Sequence, residues 1–483
     1  MNRVSPASLL LPAAALFVVY SFQANAQSQI AKSTPTQPPG QSVPNAAAYS
    51  WTGFYMGVNA GLNGGTYQYR PVEVEAIVQG EPEEPTLNRM RTTASGGVIG
   101  IQGGYLYQLP SNIVLGVEAD FNWTDYRSSA VLSEISGAGE AESELAKLRV
   151  GYFGTLRARL GYAIGPALPY VTGGVAFGRT TFLFAEGEAE PGQPPVAKSG
   201  RTTWGYSLGA GLEYAITPAL RLKTEYLYTS LASLQAVGLE NSTFKLGSSF
   251  NTVRIGLNYA FGQDYTQFQP ISLRNGRAPQ FEGFSLSLNA GITAGSSVGT
   301  TVTTEETETS SLNESFQLAG GFIGAELGYQ YQFQNNFVLG AFADYQFTNY
   351  KKEAIEAEQN IDESAKEKKI FAIPQFGTVR LRAGYAMGSF LPYVTAGFAY
   401  GQTDFRKAEL PAEEGVTPSR INKTSTGYVV GVGAEYAITS QLFFKTEYLY
   451  VNLGRIKGVA GANETVNASM PMNIGRVGLS YRF

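Results

Sequence analysis

The chain contains no cysteine and no histidine in 483 residues. Without cysteine there are no disulfides and no thiolate sites for catalysis or metal binding. Without histidine the commonest general base and the commonest metal ligand are missing. Serine triads and the usual zinc hydrolase centres therefore cannot be assembled. A net charge of −4 provides no basic field for nucleic acid. Nor is there an apolar run of the ~20 residues that a membrane helix needs. The run at Leu9–Phe22 has 14 residues and is interrupted by Pro12. Arg3 precedes it and "ANA", Ala24–Ala26, follows it. Residues 1–26 thus read as a signal peptide, with Ala24 and Ala26 marking the cleavage site and Gln27 opening the mature chain. Residues 27–50 are rich in Pro, Gln and Ser and are expected to be a disordered lead-in.

Glycine and aromatics are what the sequence has in quantity: 56 Gly, 29 Tyr and 28 Phe. So much glycine disfavours long helices, whereas aromatics favour strands. The chain also repeats itself. "FGTLRARLGYAIGPALPYVTGGVAFG" from Phe153 returns as "FGTVRLRAGYAMGSFLPYVTAGFAYG" from Phe376, 223 residues on. "GYSLGAGLEYAITPALRLKTEYLY" from Gly205 returns from Gly427, 222 residues on, and "GFYMGVNAGL" from Gly53 returns from Gly283, 230 on. The repeating unit is therefore a whole domain.

Each copy shows eight alternating segments. In the first they fall near 52–69, 97–109, 112–127, 149–164, 168–183, 203–216, 219–233 and 250–262. In the second they fall near 282–295, 318–333, 336–351, 372–387, 391–406, 425–438, 441–454 and 472–483. Connections alternate between tight turns ("LPSN", "IGPA", "ITPA") and long polar, often acidic loops ("VQGEPEEPT", "ISGAGEAESE"). Short turns on one side and long loops on the other are the pattern of an outer-membrane β-barrel.

Strand alternation then assigns the faces. Lipid takes the apolar set Leu156, Ala158, Leu160 and Tyr162, which turns Arg157 and Arg159 inward. The same parity turns Glu118, Asp120, Glu213, Arg221, Lys223, Glu225 and Arg254 inward in the first copy. In the second it turns Glu326, Asp344, Arg380, Arg382, Glu435, Lys445, Glu447, Arg476 and Arg482 inward. Each set has five cations and four anions, a balance that predicts interlocked lumen ion pairs, since a buried unpaired charge is costly. A solvated pore lining is the competing reading. On the opposite face, Tyr226, Tyr228, Tyr259 and Phe261 are expected in an interfacial aromatic girdle.

Two closures satisfy this pattern, because lipid requires only that strands leave no open edge. One is a pair of eight-stranded barrels, residues 51–262 and 282–483, joined by a periplasmic linker at 263–281. The other is a single sixteen-stranded barrel. The long linker and the many inward glycines, such as Gly104, Gly209 and Gly211, favour two cramped barrels.

"WTGFYMGVNAG" at Trp51, the alternating strands and the terminal Phe483 resemble the small outer-membrane barrel proteins of Gram-negative bacteria. These are the immunogenic or opacity-like proteins, similar to the eight-stranded transmembrane domain of the OmpA class. The resemblance implies an outer-membrane location among lipid and lipopolysaccharide, and surface loops that meet host or envelope proteins. It further implies that Val477, Leu479, Tyr481 and Phe483 form a terminal-strand signal read by the barrel-assembly machinery. No cofactor, metal or catalytic residue is expected, and the expected role is that of a non-enzymatic anchor for outer loops. The alternative is a porin-type channel through a sixteen-stranded barrel. "GGVIGIQGG" from Gly96 lacks the helix and lysine of a phosphate loop.

Overall fold

A computed structural model describes residues 49–71, 90–135, 141–186, 197–237, 243–263, 280–305, 308–357, 366–410, 419–459 and 464–483. The signal peptide with its cleavage site, most of the lead-in and most of the inter-copy linker lie outside these residues.

The described chain is all β. The first copy comprises β1 (Gly53–Pro71), β2 (Met90–Gln108), β3 (Ile113–Ile135), β4 (Ala141–Tyr162), β5 (Ala167–Glu186), β6 (Ala197–Ala215), β7 (Leu220–Val237) and β8 (Thr243–Ala260). The second comprises β9 (Gly283–Glu305), β10 (Glu308–Gln332), β11 (Phe337–Ala357), β12 (Lys366–Tyr385), β13 (Phe390–Leu410), β14 (Ser419–Ala437), β15 (Leu442–Val459) and β16 (Glu464–Arg482). Each set closes on itself, antiparallel throughout. β1 pairs with β8, Val58 opposite Leu257, and β9 pairs with β16, Leu288 opposite Leu479. A sixteen-stranded wall would need β8 against β9 and β1 against β16, so the channel alternative loses its architecture. Closing at eight strands brings the inward charges of opposite walls within reach of one another.

Several strands begin well before the sequence alternation does: β2 at Met90 rather than 97, β4 at Ala141 rather than 149, β8 at Thr243 rather than 250. Alternation marks only the stretch whose outer face meets lipid. The hydrogen-bonded ladder continues past it, where water bathes the outer face and both faces tolerate polar residues.

Local devices recur in both copies. Asn112 (φ 64°) and Asn336 (φ 66°) make the first tight turn of each, and Gly165 (φ 59°) and Gly388 (φ 62°) the second. Asparagine and glycine are the residues that tolerate this left-handed backbone. Bulges fall at matching places, between Trp123 and Tyr126 and between Phe347 and Tyr350.

The barrels touch along one seam. Near the tight turns the rings of Tyr214 and Tyr436 lie 4.0 Å apart, with Ala167 and Phe390 in the same cluster. Mid-wall, Val253 lies against Gly475, where an added Cβ would sit 2.9 Å from its Cγ1. Towards the long loops, Ser95 Oγ lies 2.8 Å from the Gly295 carbonyl and 2.9 Å from Gln317 Oε1. Tyr214 and Tyr436 are equivalent positions 222 apart, as are Val253 and Gly475, while Ala167 and Phe390 are 223 apart. A surface that meets its own equivalent is isologous, so a local two-fold axis relates the copies.

Candidate functional site: the charged lumens

In the first barrel the inward carboxylates sit among the inward cations of β4, β7 and β8. Glu118 receives Arg157 Nη2 and Lys223 Nζ, both at 2.6 Å, and Arg159 Nη1 at 3.1 Å. Asp120 receives Arg157 at 2.8 Å and Arg254 at 2.9 Å. Glu225 receives Arg254 at 2.6 Å, Arg157 at 3.0 Å and Lys223 at 3.5 Å. Glu213 takes Arg159 at 2.8 Å, with Arg221 at 3.9 Å. None of these side chains is more than 1% exposed.

The second barrel builds the same knot. Glu326 takes Lys445 at 2.5 Å, Arg380 at 2.5 Å, Arg476 at 2.8 Å and Arg382 at 3.6 Å. Asp344 takes Arg380 at 2.9 Å and Arg476 at 3.0 Å. Glu447 pairs with Arg476, with Arg380 at 3.0 Å and with Arg382 at 3.4 Å. Glu435 takes Arg482 at 2.6 Å and Arg382 at 3.3 Å.

Charges this deep are tolerated only when their lone pairs and protons are shared out. Neutral side chains extend the sharing, while Arg159 Nε, Arg382 Nε, Asp344 Oδ1 and both Nη atoms of Arg221 have no hydrogen-bond partner. Tyr55 donates to Glu118 at 2.6 Å, Tyr170 to Glu225 at 2.9 Å and Asn258 to Glu213 at 3.0 Å. Rings cover remaining cations: Arg159 lies 3.8 Å from the Tyr170 centroid, Arg382 3.7 Å from Phe342 and Arg482 3.8 Å from Phe443. A search for charged residues alone misses these partners. They stand in the same alternation phase as the charges, which is the signal that identifies them.

Apolar plugs lie on both sides of each knot. Towards the tight turns of the first barrel, Trp51, Tyr55, Leu106, Val114, Ala163, Leu168 and Ala260 pack together. Towards the long loops, Tyr67, Tyr126, Phe153, Phe182, Leu231 and Phe250 belong to a second cluster. The second barrel repeats this with Phe281, Leu391 and Phe443 at one end and Phe322, Tyr350 and Phe376 at the other. Residues just before each first strand stopper the mouth. The Trp51 N–H donates to Gln108 Oε1 at 2.9 Å, and the Phe281 N–H to Gln332 Oε1 at 2.7 Å. Along each lumen the described residues therefore run as apolar plug, ionic knot and apolar plug.

The outer wall is the converse. Val58, Ile99, Ile101, Leu156, Leu160, Val175 and Leu208 are exposed, as a surface facing lipid requires. Tyr259 and Phe261 are exposed near the tight turns, and Trp123 and Trp204 towards the long loops. Tyr226 departs from the expected girdle. It is half-buried, and its hydroxyl donates to Asn251 Oδ1 at 2.6 Å, which draws it into the wall. Tyr228 packs 6.2 Å from Tyr206. On β16, Val477 and Leu479 are half-buried, and Tyr481 and Phe483 are exposed on the outward face.

The chain is similar to known proteins over both copies. The family model described as "Outer membrane protein beta-barrel domain" matches residues 39–261 and again 271–483. The 31 kDa outer-membrane immunogenic protein of Brucella melitensis is 39% identical over 224 residues, 46% of this chain and 89% of that protein. The 22 kDa outer membrane protein of Rhizobium leguminosarum is 27% identical over 221 residues, 46% of this chain and 83% of its own length. Among solved structures, Neisserial surface protein A is 16% identical with a TM-score of 0.25, covering 44% of this chain and 98% of that one. The chain therefore belongs to the outer-membrane β-barrel domain family, carries that domain twice, and resides in the outer membrane.

Proposed function

We propose that the protein is a double anchor: two sealed barrels that hold eight-strand walls in the membrane and present polar outer loops at the cell surface. The observation that supports this most directly is the burial of all eighteen lumen charges (Arg157, Glu225, Glu447 and Arg476 among them), each 7% exposed or less. Water and small solutes need a continuous polar path, and a knot of fully desolvated ion pairs between apolar plugs offers none. The loops themselves lie outside the described residues, so their contacts with lipopolysaccharide, host surfaces or envelope neighbours are proposed on their position and polarity.

Liposome swelling with small sugars, alongside planar-bilayer conductance, tests the seal. The expected result is swelling at the level of empty liposomes. Stable conductance steps from the full chain would overturn it and favour a porin-type role.

The outward apolar set Val477, Leu479, Tyr481 and the terminal aromatic Phe483 is proposed as the signal read by the assembly machinery. Removing Phe483 should lower the folded, membrane-inserted fraction in cells. Normal insertion of the truncated chain would contradict that role.

A further inference from the structure

The seam between the barrels opens into a cleft of about 760 Å³. That lies within the range of sites that hold a small ligand, about 300–1,000 Å³. Its walls are outward, lipid-facing side chains: Leu62, Ile99 and Ile255 of the first barrel, and Val432 and Tyr448 of the second. One end of the cleft reaches Trp123, Asp125 and Arg149, on the long-loop side of the wall.

Charge on that rim is uneven. Arg127 and Arg149 are register partners on β3 and β4, both exposed. Like charges directly opposite one another repel. Neither forms an ion pair with an acid among the described residues. Arg179 on β5, just above Phe177, and Lys147 on β4 are exposed as well. The acid nearby, Asp125, is turned back onto the Gly97 N–H at 2.5 Å. In the second barrel the equivalent positions are Lys351, Ala372, Gln402 and Ile370, so three of the four cations are missing there. Arg149 lines the cleft, Arg127 is its register partner, and Lys147 and Arg179 lie exposed on the adjoining wall, so a cationic rim stands at one end of an apolar slot.

We propose that this cleft binds one phosphorylated, acylated lipid of the outer leaflet, with an acyl chain between the barrels and a phosphate on Arg127 and Arg149. The assignment rests on the membrane orientation read above, with long loops outside, and it identifies the lipid chemistry that the first barrel meets. The second barrel keeps only Lys351 of the four cations, so the expected stoichiometry is one lipid per chain.

Native mass spectrometry of the full mature chain in detergent tests this. The probes are lipid A, its dephosphorylated form and inorganic phosphate. Lipid A should bind at one per chain. The dephosphorylated form, and lipid A on R127Q/R149Q, should bind roughly 30-fold more weakly, as expected for losing about two surface charge contacts. Inorganic phosphate should leave no bound species. Gly97→Trp should remove lipid A binding by filling the groove, because a Cβ at Gly97 meets only Asp125 Oδ1, at 3.6 Å. Unchanged lipid A occupancy in both variants would overturn the site. Equal binding of the dephosphorylated form would overturn the phosphate contact. Binding of free phosphate alone would reduce the site to a bare anion patch and overturn the lipid assignment. Gel mobility before and after boiling, read on the same samples, verifies that each variant is folded. Swelling assays report separately on the sealed-barrel reading. A barrel that conducts yet binds lipid leaves the site intact, and a sealed barrel that ignores lipid removes only the site.

Discussion

The two lumens carry the same charge pattern but do not place every charge on the same residue. Seven members occupy equivalent positions: Asp120, Arg157, Arg159, Glu213, Lys223, Glu225 and Arg254 match Asp344, Arg380, Arg382, Glu435, Lys445, Glu447 and Arg476. Two have moved. The position of Glu118 is Phe342 in the second barrel, and the carboxylate has shifted to the neighbouring strand, where Glu326 replaces Gln102. The position of Arg221 is Phe443, and the cation has shifted to the strand beside it, where Arg482 replaces Ala260. Function of place survives both moves. Glu118 and Glu326 each take the lysine and the same three arginines of their own barrel. Arg221 and Arg482 each face the equivalent glutamate. Neighbouring strands lie only ~4.8 Å apart, so either can deliver a long side chain to one point in a narrow lumen. What the knot requires is a charge at a location, and the vacated position is refilled by an aromatic that stacks on a cation.

The comparison can be broken hardest at its shared centre. Replacing Glu225 by Ala leaves three cations short of a carboxylate, and replacing Glu447 leaves four. Each change should cost about 3–5 kcal/mol, seen as a lower urea midpoint for the affected barrel alone. Equal loss in both barrels would contradict their independence.

Transplanting one arrangement into the other sharpens the comparison. Glu118→Ala should destabilise the first barrel by several kcal/mol, about 3. Glu118→Phe with Gln102→Glu and Tyr55→Ser recreates the second barrel's layout, where Ser285 matches Tyr55. This triple variant should recover most of the loss in the same urea titration. No recovery would mean that position, and not only place, matters.

The fifth cation should matter unequally. Arg482 reaches Glu435 at 2.6 Å, whereas Arg221 stands 3.9 Å from Glu213, and both its Nη atoms lack a hydrogen-bond partner. Arg482→Ala should therefore cost about 1–3 kcal/mol, and Arg221→Ala less, by the same readout.

The smallest effect concerns the outer rim of β13. Asp404 is held by Arg406 at 2.6 Å and Arg420 at 2.9 Å, whereas the first barrel has Thr181 at that place. Burial opposes ionisation of Asp404, but the hydrogen bonds and charge of Arg406 and Arg420 prevail and hold its carboxyl below the usual range. A depressed folded pKa means the clasp stabilises fully above the unfolded value of about 3.9 and is lost as pH falls through the lower folded value. Protection factors for amide exchange at the ends of β13 and β14, corrected for the intrinsic pH dependence, should fall on acidification, and Asp404→Asn should remove that response. The first barrel, with Thr181, should show no such step.

Much of this was legible in the sequence because lipid imposes one rule on every strand. The parity that sends Leu156 outward fixes Arg157 inward, and the repeat carries the rule to Arg380. Three things were not legible. The strand extensions, such as Ala141 onward in β4, lack the alternation because lipid does not dictate their outer face. The choice between eight and sixteen strands depends on which edges pair, and local pattern is silent on edges. The seam arises from surface residues such as Ser95 and Tyr214, whose burial depends on a neighbour 200 or more residues away.

The central claim is that each copy closes on itself. The chain has no cysteine, so introduced pairs report without background. Val58→Cys with Leu257→Cys bridges β1 and β8, while Leu257→Cys with Leu288→Cys would bridge β8 and β9. In membranes from cells, the account predicts a disulfide in the first pair and none in the second. A disulfide in the second pair with none in the first would contradict it and reinstate the sixteen-stranded wall.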